Sequence, residues 1–227
     1  RQEKLRVVLE ELSKQKDLCS GEVVVGIDGS TDGTAEMLEE LAKSFPTSLS
    51  FFRIENSGRS VIRNQLLQRA QGELILFIQD DIVIHPGWLE AHQQAHARCP
   101  GAAVVGHITW YPKMTITPYM CWLENGGPLL SFRGLKDGDE TNFWHFYMGN
   151  ISFSKDAVQG ITFDERLQEY GWEDMVFGYQ FIKKGGTIFY SQKALAYHWD
   201  EYREEDLPEY AKKLGLSARK VQELYPE

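Results

Sequence analysis

The sequence predicts an α/β fold with a mostly parallel central sheet and helices on both faces. Three observations carry that prediction. Short aliphatic runs alternate with amphipathic segments through the first hundred residues. Two runs, Glu22–Ile27 (EVVVGI) and Leu74–Ile78 (LILFI), are almost wholly apolar, as strands covered on both faces are. Each is followed at once by acid, Asp28 after the first and Asp80-Asp81 after the second, with Gln79 between.

The elements follow in order. Leu5, Val8, Leu9 and Leu12 share one helical face, so residues 3–15 read as a helix. The strand Glu22–Ile27 ends in Asp28-Gly29-Ser30-Thr31-Asp32-Gly33-Thr34, a turn rich in helix-capping residues, and a helix with Met37, Leu38 and Leu41 inward follows. Residues 49–54 read as a strand. Residues 59–71 read as a helix, with Ile62, Leu66 and Ala70 four apart, stopped by Gly72. After the strand 74–78, Pro86 is placed to open a helix, and 103–107 reads as a strand. Residues 108–150 are rich in Pro, Gly and aromatics and read as an irregular, substrate-facing insert. Order resumes near Glu173 in a helix with Met175, Tyr179 and Ile182 on one face, ended by Gly185-Gly186 and followed by a strand at 187–190. The charged tail from Glu201 reads as helical. An open α/β domain usually begins with a strand. This chain begins within a loop or helix, so the fold is expected to lack its first strand.

Composition narrows the function. The chain has 227 residues, 42% hydrophobic and 25% charged, which suits one large or two small globular domains. No apolar run approaches the ~18 residues of a membrane helix, and Arg1-Gln2-Glu3-Lys4 starts no signal peptide. A net charge of −9 argues against a nucleic-acid partner. Cys19, Cys99 and Cys121 are scattered, so they suggest neither a disulfide framework nor a zinc site, and the chain reads as cytoplasmic.

Ligands of open α/β sheets bind beyond the carboxyl ends of the strands. Asp80 and Asp81 there read either as ligands for Mg²⁺ or Mn²⁺ or as solvated turn carboxylates. Glu173 and Asp174 follow Tyr170-Gly171-Trp172. They read as helix-capping acids beside a core tryptophan, or as a ring-binding platform with a general base. His198 is a further metal ligand or a structural histidine. Arg59 and Arg63 face a diphosphate or solvent. His92 and His96 are four apart but lack the glutamate of a zinc-protease motif. Trp110, Tyr111, Trp122, Phe143, Trp144 and Trp172 are either sugar-stacking or core aromatics.

Together, DGSTDGT (28–34), GRSVIRN (58–64), GELILFIQDD (72–81), MGNISF (148–153) and YGWEDMVFG (170–178) resemble the family 2 glycosyltransferases with the GT-A fold. The resemblance spans residues 1–200. It implies an inverting, metal-dependent transfer from a nucleotide-diphosphate sugar to an acceptor hydroxyl. By that likeness Asp28 contacts the nucleobase, usually uracil, Arg59 and Arg63 lie near the nucleotide and its phosphates, and Asp80 contacts ribose or sugar. Asp81 and His198 hold Mn²⁺ or Mg²⁺. Asp174 is the general base, Glu173 binds the acceptor or orients that base, and Trp172 binds the acceptor. It further implies a glycan, lipid-linked or other hydroxyl acceptor and a place in polysaccharide synthesis, in the cytoplasm or peripherally at the inner membrane face. Residues 1–108 then form the nucleotide-sugar part, 109–200 the acceptor and catalytic part, and 201–227 a helical tail. Two departures stand out. Gln79 replaces the first acid of the usual Asp-x-Asp, and the nucleobase-packing first strand is expected to lie outside this sequence or to be lacking. Both leave open a noncatalytic GT-A-like glycan or nucleotide binder.

Overall fold

The computed structural model describes residues 1–168 and 171–226. The first half alternates α1 (Gln2–Ser13), β1 (Glu22–Asp28), α2 (Thr34–Ala42), β2 (Ser48–Ile54), α3 (Arg59–Arg69), β3 (Leu74–Ile78), β4 (Ile82–Ile84), α4 (Trp88–Arg98) and β5 (Ala103–Trp110). The second adds α5 (Pro118–Glu124), β6 (Glu140–Thr141), β7 (Asn150–Ser154), α6 (Glu173–Lys183), β8 (Ile188–His198) and α7 (Leu207–Leu224).

The expected α/β class is found. β1 and β2 pair in parallel as a sheet of their own. The remaining strands form one sheet in the order β3-β7-β5-β8-β4, with β6 on β8. Its long central pair β5–β8 is parallel, and β3 runs with them. The shorter β4, β6 and β7 run against that direction. β6 and β7 arise where the sequence shows little strand–helix alternation, and β4 is a three-residue run directly after β3, so the parallel frame was legible and these short strands were not.

Helices cover both faces of this sheet, as β7 shows residue by residue. Successive strand side chains point to opposite faces. Asn150 and Ser152 meet α4, where Trp88 Nε1–H donates to Asn150 Oδ1 (2.7 Å) and His92 Nδ1 lies 2.7 Å from Ser152 Oγ. Phe153 points the other way and stacks on Phe177 of α6 (5.9 Å between rings). Phe146 and Phe163 extend that aromatic layer. Each fully buried phenylalanine is worth roughly 1.5–3 kcal/mol.

Several expectations need correcting. Helix α4 starts at Trp88 behind Gly87, so Pro86 sits in the preceding turn. Helix α2 is capped by the backbone of Gly33, and no side chain caps it. Asp32 instead accepts hydrogen bonds from Ser30 Oγ (2.7 Å) and Thr34 Oγ1 (2.5 Å). The most buried residues of α3 are Ser60, Arg63 and Asn64, because Asn64 exchanges hydrogen bonds with Phe163 and Arg63 reaches Glu173. The inward side of α6 is Glu173, Val176, Phe177 and Phe181, and Met175, Tyr179 and Ile182 are only half-buried. In both helices two stripes of the same period compete, and the partner surface chooses between them. The strand expected at 187–190 runs on to His198, its register with β5 shifting between Gly106 and Ile108. Gly106 has to be glycine here. A Cβ would lie 2.3 Å from Asn150 Nδ2 and 2.4 Å from Ala194 O.

Candidate active site

The first acidic group forms where β3 turns into β4. β4 lies antiparallel to β8 with Ile82 opposite His198, and Trp199 N–H donates to Asp81 C=O (2.7 Å). This register brings Asp81 Oδ2 to 3.8 Å from His198 Nε2. Asp200 joins them, so that one ligand atom from each of the three lies within 4.8 Å of the others. Asp81 Oδ1 and His198 Nδ1 are buried and have no hydrogen-bond partner among the described residues. A buried polar atom left unpaired costs roughly 1–3 kcal/mol, so these atoms are suited to a ligand. Carboxylate oxygens plus an imidazole fit a divalent cation, and the nitrogen donor suits Mn²⁺ better than Mg²⁺. Cations of the protein already surround the group. Arg1 holds Asp80 with one nitrogen at 2.7 and 2.9 Å and lies 3.9 Å from Asp81, and Lys4 is 3.3 Å from Asp200. Burial works to raise the Asp81 pKa, but His198, Arg1 and Lys4 outweigh it and hold the carboxyl below its ordinary value.

The second acidic group opens α6. Trp172 has a left-handed backbone (φ 73°), a conformation rare outside glycine and typical of constrained sites. It turns Glu173 and Asp174 inward onto α3. Arg63, its side chain 7% exposed, bridges them, 3.0 Å from Glu173 Oε1 and 2.5 Å from Asp174 Oδ1. Met148 N–H donates to Asp174 Oδ2 (3.0 Å). Glu173 Oε2 is a third buried atom with no partner among the described residues. Burial pushes the Asp174 carboxyl up to about 6. Arg63 opposes that shift and the Glu173 charge adds to it. The Trp172 indole N–H donates to Leu214 C=O of α7 (3.0 Å), and its ring meets Trp144 edge to face at 5.7 Å. Tyr170, quoted in the motif above, lies outside the described residues.

The sequence-picked residues thus divide. Asp81 meets His198, and Glu173 and Asp174 meet Arg63. Arg63 is buried against those acids and does not present an open phosphate-facing side. Arg59 is half-exposed, 3.5 Å from Glu173. Asp28 ends β1 and accepts from the N–H groups of Ser57 (2.7 Å) and Gly58 (3.1 Å), so it anchors the turn into α3. Trp110 and Tyr111 are core residues, whereas Trp122 and Trp144 are exposed.

Three features were missed. Asp200 carried a signal, because residues two apart in an extended segment share a side. The Met148 N–H carried none. Nor did the network that fixes its loop. Asn150 accepts from Trp88 and His92 and donates to the carbonyls of His107 and Ala194. Its oxygen takes the His92 Nε2–H, so Ser152 donates to His92 Nδ1 and accepts from His96 Nε2 (2.8 Å). Burial lowers His92 to about 4. Both histidines are spent on this network, in keeping with their lack of a metal motif.

Comparison with known proteins supplies the family. The Glycosyl transferase family 2 profile matches residues 1–162, and the chain belongs to that family. It is 23% identical over 254 residues to chondroitin synthase of Escherichia coli, covering 98% of this chain and 36% of that protein. It is 38% identical over 86 residues to the uncharacterized glycosyltransferase YfnE of Bacillus subtilis, covering 37% of this chain and 21% of that protein. The chain thus spans about a third or less of these curated relatives. S. aureus TarS 1-349 in complex with UDP superimposes with a TM-score of 0.67 at 20% identity, over 94% of this chain and 61% of that one. The Pyrobaculum calidifontis mannosyltransferase in complex with GDP-Man and Mn²⁺ gives 0.67 at 17% identity, over 90% and 55%. These structures share the GT-A fold. Among the described residues, no helix is long and apolar enough to cross a membrane.

Proposed function

We propose that this family 2 member is an inverting glycosyltransferase. It moves a hexosyl unit from a nucleotide-diphosphate sugar, a UDP-sugar by preference, to the hydroxyl of a glycan or lipid-linked acceptor in polysaccharide synthesis. The observation that carries the proposal is the meeting of Asp81 and His198 from distant parts of the chain, each with a buried atom lacking a partner among the described residues. The UDP- and GDP-sugar-bound neighbours of the same fold support the donor class.

Residues 1–108 hold the donor and 109–200 the acceptor. Asp81, His198 and Asp200 hold Mn²⁺ or Mg²⁺. When bound, that cation offsets negative charge developing on the departing diphosphate. Asp28 orients the nucleobase and Asp80 the ribose or sugar, with Arg1 yielding its contact. Asp174 takes the acceptor hydroxyl proton as the new oxygen–carbon bond forms and the carbon–oxygen bond to the diphosphate breaks on the opposite side. A carboxyl pushed up to about 6 is a fitting base near neutral pH. Glu173 and Arg63 fix its orientation, and Trp172 borders the acceptor.

Calorimetric titration of UDP with and without Mn²⁺ tests the reading. Expected is metal-dependent binding that disappears in Asp81→Ala, with turnover once donor and acceptor are matched. Metal-dependent binding without turnover on any donor–acceptor pair would favour the noncatalytic alternative, which the glutamine at position 79 motivates. Binding indifferent to both metal and Asp81 would overturn the assignment.

A further inference from the structure

A second aromatic surface lies beside the first acidic group. Helix α5 is pinned from behind. Thr117 caps it, Met120 and Leu123 are buried, and Trp110 Nε1–H donates to Met120 C=O (2.9 Å). Its front therefore presents a fixed pair, Tyr119 and Trp122, stacked at 5.8 Å and 21°. Trp122 is 52% exposed. Stacked on Tyr119, the exposed indole offers an aromatic face on a well-anchored helix, apolar over its body and able to donate from its N–H. Tyr119 of the pair is one wall of a cavity of about 160 Å³, with Leu123, Leu129, Tyr202 and Tyr210, and Trp122 borders it by stacking on Tyr119. Tyr202 is a shared wall. Its ring also lies 5.7 Å from His198 and 5.5 Å from Trp110, so the Tyr202 ring stands between the cavity and the candidate metal ligand.

Charge decides which substrate fits. Residues 201–206 carry four carboxylates, Glu201, Glu204, Glu205 and Asp206, against one guanidinium, Arg203. Arg203 is itself paired with Glu205 (3.0 Å) and Asp206 (3.4 Å). Glu204 and Asp206 are near enough to Tyr119 to add to the effect of burial in raising its pKa. Glu201 and Asp206 against Arg203 among the lining residues, with Glu204 and Glu205 beside them in the chain, make the surroundings net negative, which disfavours a nucleotide diphosphate or a uronate. These carboxylates accept hydrogen bonds from hydroxyls, while the aromatic walls take the C–H faces of a pyranose.

We infer that the α5 cavity is an acceptor subsite that binds one uncharged sugar unit, a hexose or N-acetylhexosamine, of the growing glycan. The inference rests on the transferase reading above and adds the chemistry of the acceptor to it.

The test is an array of neutral oligosaccharides (hexose and N-acetylhexosamine homopolymers and mixed chains) beside oligouronates, probed with the intact chain, with UDP–Mn²⁺ titrated in parallel. Expected is binding to a neutral glycan that falls at least tenfold in Trp122→Ala, with UDP–Mn²⁺ binding and thermal stability unchanged. Asp206→Lys should shift preference toward uronates. Preference for uronates in the natural chain, neutral binding untouched by Trp122→Ala, or no glycan bound while UDP–Mn²⁺ binds, would each overturn the subsite. Trp122-dependent neutral binding without UDP binding would keep the subsite and overturn the transferase reading. Loss of both would overturn both.

Discussion

The two acidic groups of this protein are built in opposite ways. Asp80, Asp81 and Asp200 are met by Arg1 and Lys4, cations from the start of the chain, the first of them 64% exposed. Two buried atoms of this group, Asp81 Oδ1 and His198 Nδ1, against one of the second, Glu173 Oε2, have no partner among the described residues. Glu173 and Asp174 are met by a guanidinium 7% exposed and by a fixed backbone N–H. Loose, exposed partners can be exchanged for an incoming cation at little cost, since an exposed ion pair is worth about 0–1 kcal/mol. A buried partner cannot be exchanged. The first arrangement suits carboxylates that must accept a ligand. The second suits a carboxylate whose position and proton affinity must stay fixed.

The sharpest way to break this comparison is Asp174→Asn. Transfer should fall about 10²–10⁴-fold while UDP–Mn²⁺ affinity stays as it was. In the natural chain the rate should rise through pH 6 as the carboxyl pushed up to about 6 ionises, and steady-state kinetics should show the variant lacking that limb. Full activity in the variant would remove the distinction between the two groups.

Next is Arg63→Ala. It strands two inward-facing carboxylates, and breaking a buried pair costs roughly 3–5 kcal/mol. Urea unfolding should register a loss of that order. Both contacts come from the one nitrogen Nη1, so Arg63→Lys, which keeps the charge on a shorter and differently shaped side chain, should recover part of the loss. A loss below 1 kcal/mol would mean that the second group is as loosely held as the first.

His92 sharpens the same point one layer out, since its network anchors the loop that carries Met148. Its folded pKa is lowered to about 4 from an ordinary value near 6.5. The unfolded chain therefore binds the extra proton first. Stability should be unaffected by this residue above about pH 6.5 and should decline as pH falls toward 4. The slope is at most about 1.4 kcal/mol per pH unit. Unfolding curves of His92→Gln, set against the natural chain, should show that slope flattened.

The smallest effect belongs to Arg1→Ala. Its contact with Asp80 is solvent-exposed, so stability should change by less than about 1 kcal/mol. Mn²⁺ affinity should rise, because a competing cation is gone. A fall in metal affinity, read by calorimetry, would show that Arg1 supports the site and does not merely stand in it.

Much of this was legible before folding was considered. Alternating runs such as Glu22–Ile27 and Leu74–Ile78, the turn at 28–34 and the acids at 80–81 and 173–174 are local patterns, and local patterns fix strands, turns and the ends where ligands bind. Period and composition say which residues are apolar, capping or ionisable. They do not say which of two equivalent helical stripes faces inward. Hence the apolar Ile62 and Leu66 of α3 are half-buried while Arg63 and Asn64 are buried, and in α6 Glu173, Val176 and Phe177 lie deeper than Met175, Tyr179 and Ile182. The pairing of Asp81 with His198, the arrival of Asp200, the clamp of Arg63 on Asp174 and the sorting of Trp122 outward from Trp110 inward all depend on strand register and helix placement. Those are set by long-range packing and hydrogen bonds between residues far apart in the chain. By itself the sequence determined the chemistry available and the ends of the strands where it gathers. Only the tertiary structure decided which groups meet, which are buried, and therefore which carboxylate is free to take a cation and which is held as a base.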